Sequence, residues 1–142
     1  MRYLIDTNIL SEGMKPAPDP RVLAWLDDHQ DECAISALTL AELADGVESL
    51  PDGKRKSELM VKLRFLQEDY ADHILPFNDP CAWEWARYCR EARSAGHEPP
   101  MMDSLIAAIA RSNGLTIVTR NEGDFPLMSV VNPFDQSNAN DI

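Results

Sequence analysis

At 142 residues, 44% of them hydrophobic, the chain can bury one proper core, which excludes a disordered polypeptide. Its formal net charge is -11, from 24 acidic against 13 basic side chains. That opposes unaided binding to nucleic acid, whose phosphates are also anionic, but allows a metal site or a basic protein partner.

The first stretch, Tyr3-Leu4-Ile5, reads as a short buried strand that stops at a carboxylate, Asp6. Leu10 and Met14 restart the apolar pattern as a helix, with Thr7 or Asn8 as its expected cap. Asp6 therefore falls where a first strand meets a first helix, the crevice in which open α/β sheets bind ligands. Asp19-Pro20 opens a second helix through Val22, Leu23 and Leu26. Cys33-Ala34-Ile35 is a second strand, and Ser36 caps a helix from 37 to about 48 with the stripe Leu40, Leu43 and Val47. After the turn Pro51-Asp52-Gly53, Leu59, Leu63, Leu66 and Tyr70 mark one face of a longer helix. The pair spanning 37–70 is expected to project as a helical hairpin.

A third strand is expected over 74–77. Asn78-Asp79-Pro80 then opens a helix whose Ala82, Trp85, Ala86, Cys89 and Ala92 share a face, ended by Gly96. Pro99-Pro100 precedes a helix over 101–112, and strands follow over 115–118 and 129–131. Strands alternating with helices make this an α/β domain with a mostly parallel sheet. Residues 1–135 form that domain and 136–142 a polar, disordered tail. Cys33, Cys81 and Cys89 lack a C-x-x-C and read as reduced core residues of a cytoplasmic protein. No signal peptide is expected, because Asp6 interrupts the only N-terminal apolar run, and the run 105–110 is too short to span a bilayer.

Most acidic residues belong to a solvated surface, but Asp6, Glu42, Asp103 and Asp124 have reasons to stand apart. Asp6 ends the first strand. Glu42 sits inside Leu38-Thr39-Leu40-Ala41-Glu42-Leu43-Ala44. Asp103 lies in the first turn of the most apolar helix, and Asp124 follows a strand in Thr119-Arg120-Asn121-Glu122-Gly123-Asp124-Phe125. Each alone has an ordinary explanation: a cap, a solvated helix face or a helix-dipole charge. Apart from Arg120, Lys and Arg are scarce around them. Converging on one crevice they would repel one another and raise each other's pKa, a conflict that a hard divalent cation, Mg²⁺ or Mn²⁺, resolves.

The ordered set Leu4-Ile5-Asp6-Thr7-Asn8-Ile9-Leu10, Ser36-Ala37-Leu38-Thr39-Leu40-Ala41-Glu42-Leu43-Ala44-Asp45-Gly46, Asp103 with Ile106-Ala107-Ala108-Ile109-Ala110, and Thr119-Arg120-Asn121 with Asp124-Phe125 resembles the PIN-domain ribonucleases. The nearest likeness is to the VapC toxins of the FitB-like branch. The resemblance covers 4–125 and implies a twisted, mostly parallel sheet of four to five strands flanked by helices. It also implies a toxin of a type II toxin–antitoxin pair that hydrolyses RNA at a metal site of Asp6, Glu42, Asp103 and a fourth group near 121–124. Many relatives are acidic where Asn121 stands, so Asp124 becomes the candidate for the fourth. Thr7, Thr119 and Asn121 are expected as supporting hydrogen-bonders. The resemblance further implies a homodimer and a small antitoxin with a DNA-binding N-terminal half.

Two clusters, Lys54, Arg55, Lys56, Lys62 and Arg64, and Arg87, Arg90 and Arg93, could hold RNA but read first as solvated faces. Trp25, Trp83 and Trp85 read as core before base-stacking groups, and His29, His73 and His97 carry no ligand-like spacing. Two rival functions remain. A haloacid-dehalogenase-like phosphotransferase would use Asp6 as nucleophile, although the second Asp of its D-x-D-x-T pattern is missing. A degenerate PIN-like fold would act only as an interaction module.

Overall fold

The computed structural model describes residues 1–135, so the expected tail over 136–142 lies outside the described residues. Its strands are β1 (Tyr3–Ile5), β2 (Cys33–Ser36), β3 (Ile74–Leu75), β4 (Thr116–Val118) and β5 (Val130–Val131). They form one parallel five-stranded sheet in the order β3-β2-β1-β4-β5. Leu4 and Ile5 of the central strand are fully buried, as a continuous apolar run flanked on both faces must be. The chain steps from β1 outward through β2 to β3, then returns to β4 on the far side of β1. The sheet's switch point therefore opens at the C-terminal ends of β1 and β4, immediately before Asp6.

Helices α1 (Thr7–Gly13), α2 (Pro20–His29), α3 (Ala37–Glu48) and α4 (Lys54–Asp69) cover one face, burying Ile9, Val22, Leu43, Val47 and Leu63 against Ile5 and Ile35. Helices α5 (Asp79–Ser94) and α6 (Met101–Ser112) cover the other, packing Tyr88, Ile106 and Ile109 on Leu4 and Ile117. The hairpin of α3 and α4 lays Leu59, Leu63, Leu66 and Tyr70 on the core and leaves Val61 and Phe65 exposed. No helix among the described residues is long and apolar enough to cross a membrane.

Several expectations shift. The third strand ends at Leu75, because Pro76 has no N–H to continue the ladder. The buried stripe of α5 is Cys81, Tyr88, Cys89 and Ala92 with half-buried Trp85, whereas Ala82 and Ala86 face out. Tyr88 decides that rotation: it buries a far larger surface than an alanine, and its hydroxyl donates to the Pro126 carbonyl at 2.8 Å. Trp83 is 69% exposed and is not core. Trp25 stacks on His29, with ring centroids 4.1 Å apart, so that histidine is a packing group. At the end of α6, Gly114 takes φ 66°, and the turn it permits lets the Leu115 N–H reach the Ala110 carbonyl at 2.9 Å.

Candidate metal and nuclease site

Asp6 itself caps α1, its Oδ1 accepting the Thr7 N–H at 2.8 Å. The expected caps, Thr7 and Asn8, are thereby displaced into the first turn, where their side chains do other work. Asn8 Nδ2 donates to Asp6 Oδ2 at 3.1 Å and to Thr119 Oγ1 at 3.2 Å, while its Oδ1 accepts the Arg120 N–H at 3.1 Å. Thr119, one residue past β4, accepts the Asn121 N–H at 3.0 Å and donates its hydroxyl to Asp6 Oδ2 at 2.9 Å. Two N–H groups point at the Thr119 oxygen, so its own proton has the carboxylate as its outlet. Asp6 is held from three sides in a buried seat.

Thr7 links the second carboxylate to the first, its hydroxyl donating to Glu42 Oε1 at 2.6 Å. Glu42 reaches this point because Ser36 caps α3, accepting the Thr39 N–H at 2.9 Å, and so starts that helix at the C-terminal edge of β2. Asp103 arrives from the first turn of α6, whose N-terminus meets the same edge. That turn has no side-chain cap. Ser104 Oγ instead donates to the Met101 carbonyl at 2.6 Å and accepts the Trp85 Nε1–H at 2.9 Å. Asp124 sits in a single 3₁₀ turn, Glu122–Asp124, just beyond β4.

Asp6, Glu42 and Asp103 line one crevice of about 410 Å³ with Thr7, Asn8 and Asn121. Asp124 is not part of that lining, yet its charge acts on both Asp6 and Asp103. Burial, and then the charges of Asp6, Asp124 and Glu42, push the Asp103 carboxyl up to about 7. Asp6 is also raised, chiefly by burial, although its bonds from Thr119 and Thr7 oppose the shift. Neither these two nor Glu42 and Asp124 form an ion pair with Lys or Arg among the described residues.

The donor set suits a hard cation that keeps most of its water. Among the described residues no three His, Cys, Asp or Glu side chains close on a single point. Mg²⁺ is commonly held by one or two carboxylates plus water and substrate phosphate, and Asp6 and Asp103, which share the crevice lining and whose charges interact, could supply them. The phosphotransferase alternative fits less well, because Asn8 stands where its pattern requires a second Asp and spends its side-chain amide on Asp6 Oδ2. Four crevice residues, Ser11, Glu12, Lys15 and Phe134, have no counterpart among the sequence candidates. Glu12, buried on α1, follows Asn8 by one helical turn, a spacing that could have flagged it. Phe134 comes from irregular chain beyond β5, where no short-range pattern points to it.

Comparison with known proteins agrees with this fold. The PIN domain family matches residues 3–129. Toxin FitB of Neisseria gonorrhoeae is 40% identical over 124 residues, covering 86% of this chain and 89% of FitB. The VapC ribonuclease Y4jK of Sinorhizobium fredii is 32% identical, covering 93% of this chain and 97% of its own length. The structure of FitAB bound to an IR36 DNA fragment superimposes with a TM-score of 0.89 at 36% identity, covering 94% of this chain and 96% of that one. A family match over residues 3–129, on a sheet whose switch point gathers Asp6, Glu42 and Asp103, leaves one assignment: the chain belongs to the PIN-domain family.

Proposed function

We propose that this chain is the toxin of a toxin–antitoxin pair and acts as a divalent-metal-dependent endoribonuclease. The observation that carries the reading is the cluster of carboxylates at the switch point, which has no cationic partner among the described residues and in which burial, and then like charge, lifts Asp103 to about 7. PIN family membership and a 32%-identical relative named as a ribonuclease support hydrolysis of RNA. A 40%-identical relative named as a toxin supports the biological role.

Asp6 and Asp103 would hold Mg²⁺ or Mn²⁺, with Glu42 and Asp124 completing the negative wall. The cation supplies Lewis-acid charge neutralisation and an acidified water for in-line attack on the phosphodiester. The protein's part is positioning. Thr119, Asn8 and the Thr7 amide fix the rotamer of Asp6, and the Thr7 hydroxyl ties Glu42 to the same frame. Glu42, which lines the crevice, would orient the attacking water and accept its proton, and Asp124, outside the lining, would add negative charge. We place the protein in the cytoplasm as a homodimer, held by a small antitoxin whose N-terminal half binds DNA and whose basic segment enters the crevice. FitAB bound to DNA is the parallel that supports a partner and a DNA-bound complex.

Incubation of the purified chain with single-stranded RNA tests the reading. Cleavage should require Mg²⁺ or Mn²⁺, cease with chelator and be lost in Asp6→Asn. Full cleavage by a folded Asp6→Asn protein would overturn it.

A further inference from the structure

The crevice poses an electrostatic difficulty for the substrate proposed above. Glu12, Glu42, Asp6 and Asp103 all line it, and an RNA phosphate entering without help meets their combined charge. Two cations share the lining, Lys15 and Arg120. Lys15 is already engaged, its Nζ 3.1 Å from Glu12 Oε2. Arg120 is different. Its exposed side chain forms no ion pair among the described residues, and its guanidinium carbon lies 4.4 Å from the centroid of the Phe134 ring. Asp19 feels the charge of Arg120 but is bonded by Arg21 at 2.7 Å.

We infer that Arg120, laid on the ring of Phe134, grips an RNA backbone phosphate at the mouth of the crevice. The inference rests on the ribonuclease reading of that crevice and assigns one part of its substrate contact. Three features make Arg120 a prepared group rather than a loose surface cation. Its own N–H is fixed to Asn8 Oδ1 at 3.1 Å, and Thr119 beside it bonds Asp6, so its backbone is registered against the carboxylates. The aromatic face beneath it restricts the side chain while leaving the guanidinium edge open. Phe134 is anchored in turn: its carbonyl accepts from Arg21 at 2.5 Å and its N–H donates to Asn132 Oδ1 at 3.0 Å. A guanidinium edge matches two phosphate oxygens at once, which an ammonium cannot do. Such a contact is made equally in the ground state and the transition state, so it belongs to binding and not to the chemical step.

The test uses the full chain in two arms. Steady-state cleavage of a fluorescein-labelled single-stranded RNA oligonucleotide is measured with Mg²⁺ for wild type, Arg120→Ala, Arg120→Lys and Phe134→Leu. Affinity for the same oligonucleotide is measured by anisotropy at several salt concentrations, in chelator and in an Asp103→Asn background. Arg120→Ala should raise KM about tenfold with kcat held, the loss of one charge-assisted contact. Its binding should weaken in proportion, with a salt slope shallower by about 0.7, one phosphate contact to a single strand. Arg120→Lys should recover the slope but only part of the affinity, and Phe134→Leu should weaken binding less than Arg120→Ala. A merely structural role would lower Tm and kcat and leave the slope alone. Unchanged KM and slope in Arg120→Ala, beside an active wild type, would overturn the inference and spare the ribonuclease reading. A wild type that binds this RNA without cutting it would overturn that reading, and the binding arm would still decide the role of Arg120. A wild type that does neither overturns both.

Discussion

Asp103 is the carboxylate whose surroundings do least to hold its charge. Asp6 receives three hydrogen bonds and Glu42 one, whereas Asp103 accepts none among the described residues and faces three like charges. The two aspartates should therefore respond differently to the same neutral substitution. Both Asp6→Asn and Asp103→Asn should abolish cleavage. In the metal-free protein Asp103→Asn should raise Tm, because it removes repulsion and breaks no bond. Asp6→Asn should gain less or lose, since an amide at Oδ2 would set N–H against the Asn8 N–H. Paired thermal melts in chelator decide this, and equal shifts would contradict it. The fourth position is a similar contrast. Asp124 acts on Asp6 and Asp103 through charge, and Asn121 is neutral and exposed, so Asp124→Asn should slow cleavage at limiting Mg²⁺ more than Asn121→Ala does. The convergence of Asp6, Glu42 and Asp103 on one crevice was legible in the sequence because each interrupts or follows an apolar run, whereas Asp124 lies outside its lining. The side-chain roles of Thr7 and Asn8 as bridges were not, because a Thr or Asn at a strand–helix junction looks the same whether it caps the helix or holds a neighbour's carboxylate.

The elements that present these residues are short and depend on their ends. β1, β4 and β5 carry two or three residues each, so the site's geometry is set by the caps at their edges as much as by the ladders. α6 is the sharpest case, because Pro100 offers no side-chain cap and the Trp85–Ser104–Met101 chain of bonds stands in for one. Ser104→Ala leaves the half-buried Trp85 N–H and the Met101 carbonyl without that partner. It should cost about 1–3 kcal/mol in a denaturant titration. Because Asp103 is the next residue, it should also weaken Mn²⁺ binding, and a stability unchanged from wild type would contradict this account of α6. Element order, the Ser36, Asp19 and Asn78 helix starts and the Gly96 stop followed from local chemistry visible in the sequence. The rotation of α5 did not. Alanines at 82, 86 and 92 offer no strong preference of face, and only the tertiary partner of the Tyr88 hydroxyl, at Pro126, decides between the possible stripes.

At the scale of the molecule, a chain of net charge -11 concentrates unpaired carboxylates at the one edge where its sheet can bind a ligand. Folding raises the Asp103 carboxyl from 3.8 to about 7, so the folded state binds that proton more tightly than the unfolded chain does. Its stabilising contribution is complete below the ordinary carboxylate range and is lost as pH rises through about 7. The metal-free protein should therefore melt at lower temperature as pH climbs across that window, and Asp103→Asn should flatten the dependence. A divalent cation at the same carboxylates reverses the logic, since it binds the deprotonated form and expels the proton. Titration of Mn²⁺ into the wild-type chain near pH 7, in buffers of different protonation enthalpy, reads both events at once. Binding should release protons and raise Tm, and both effects should disappear in Asp103→Asn. Mn²⁺ binding that proceeds with the same proton release and the same stabilisation in the Asp103→Asn protein would contradict the assignment of this crevice as the metal centre.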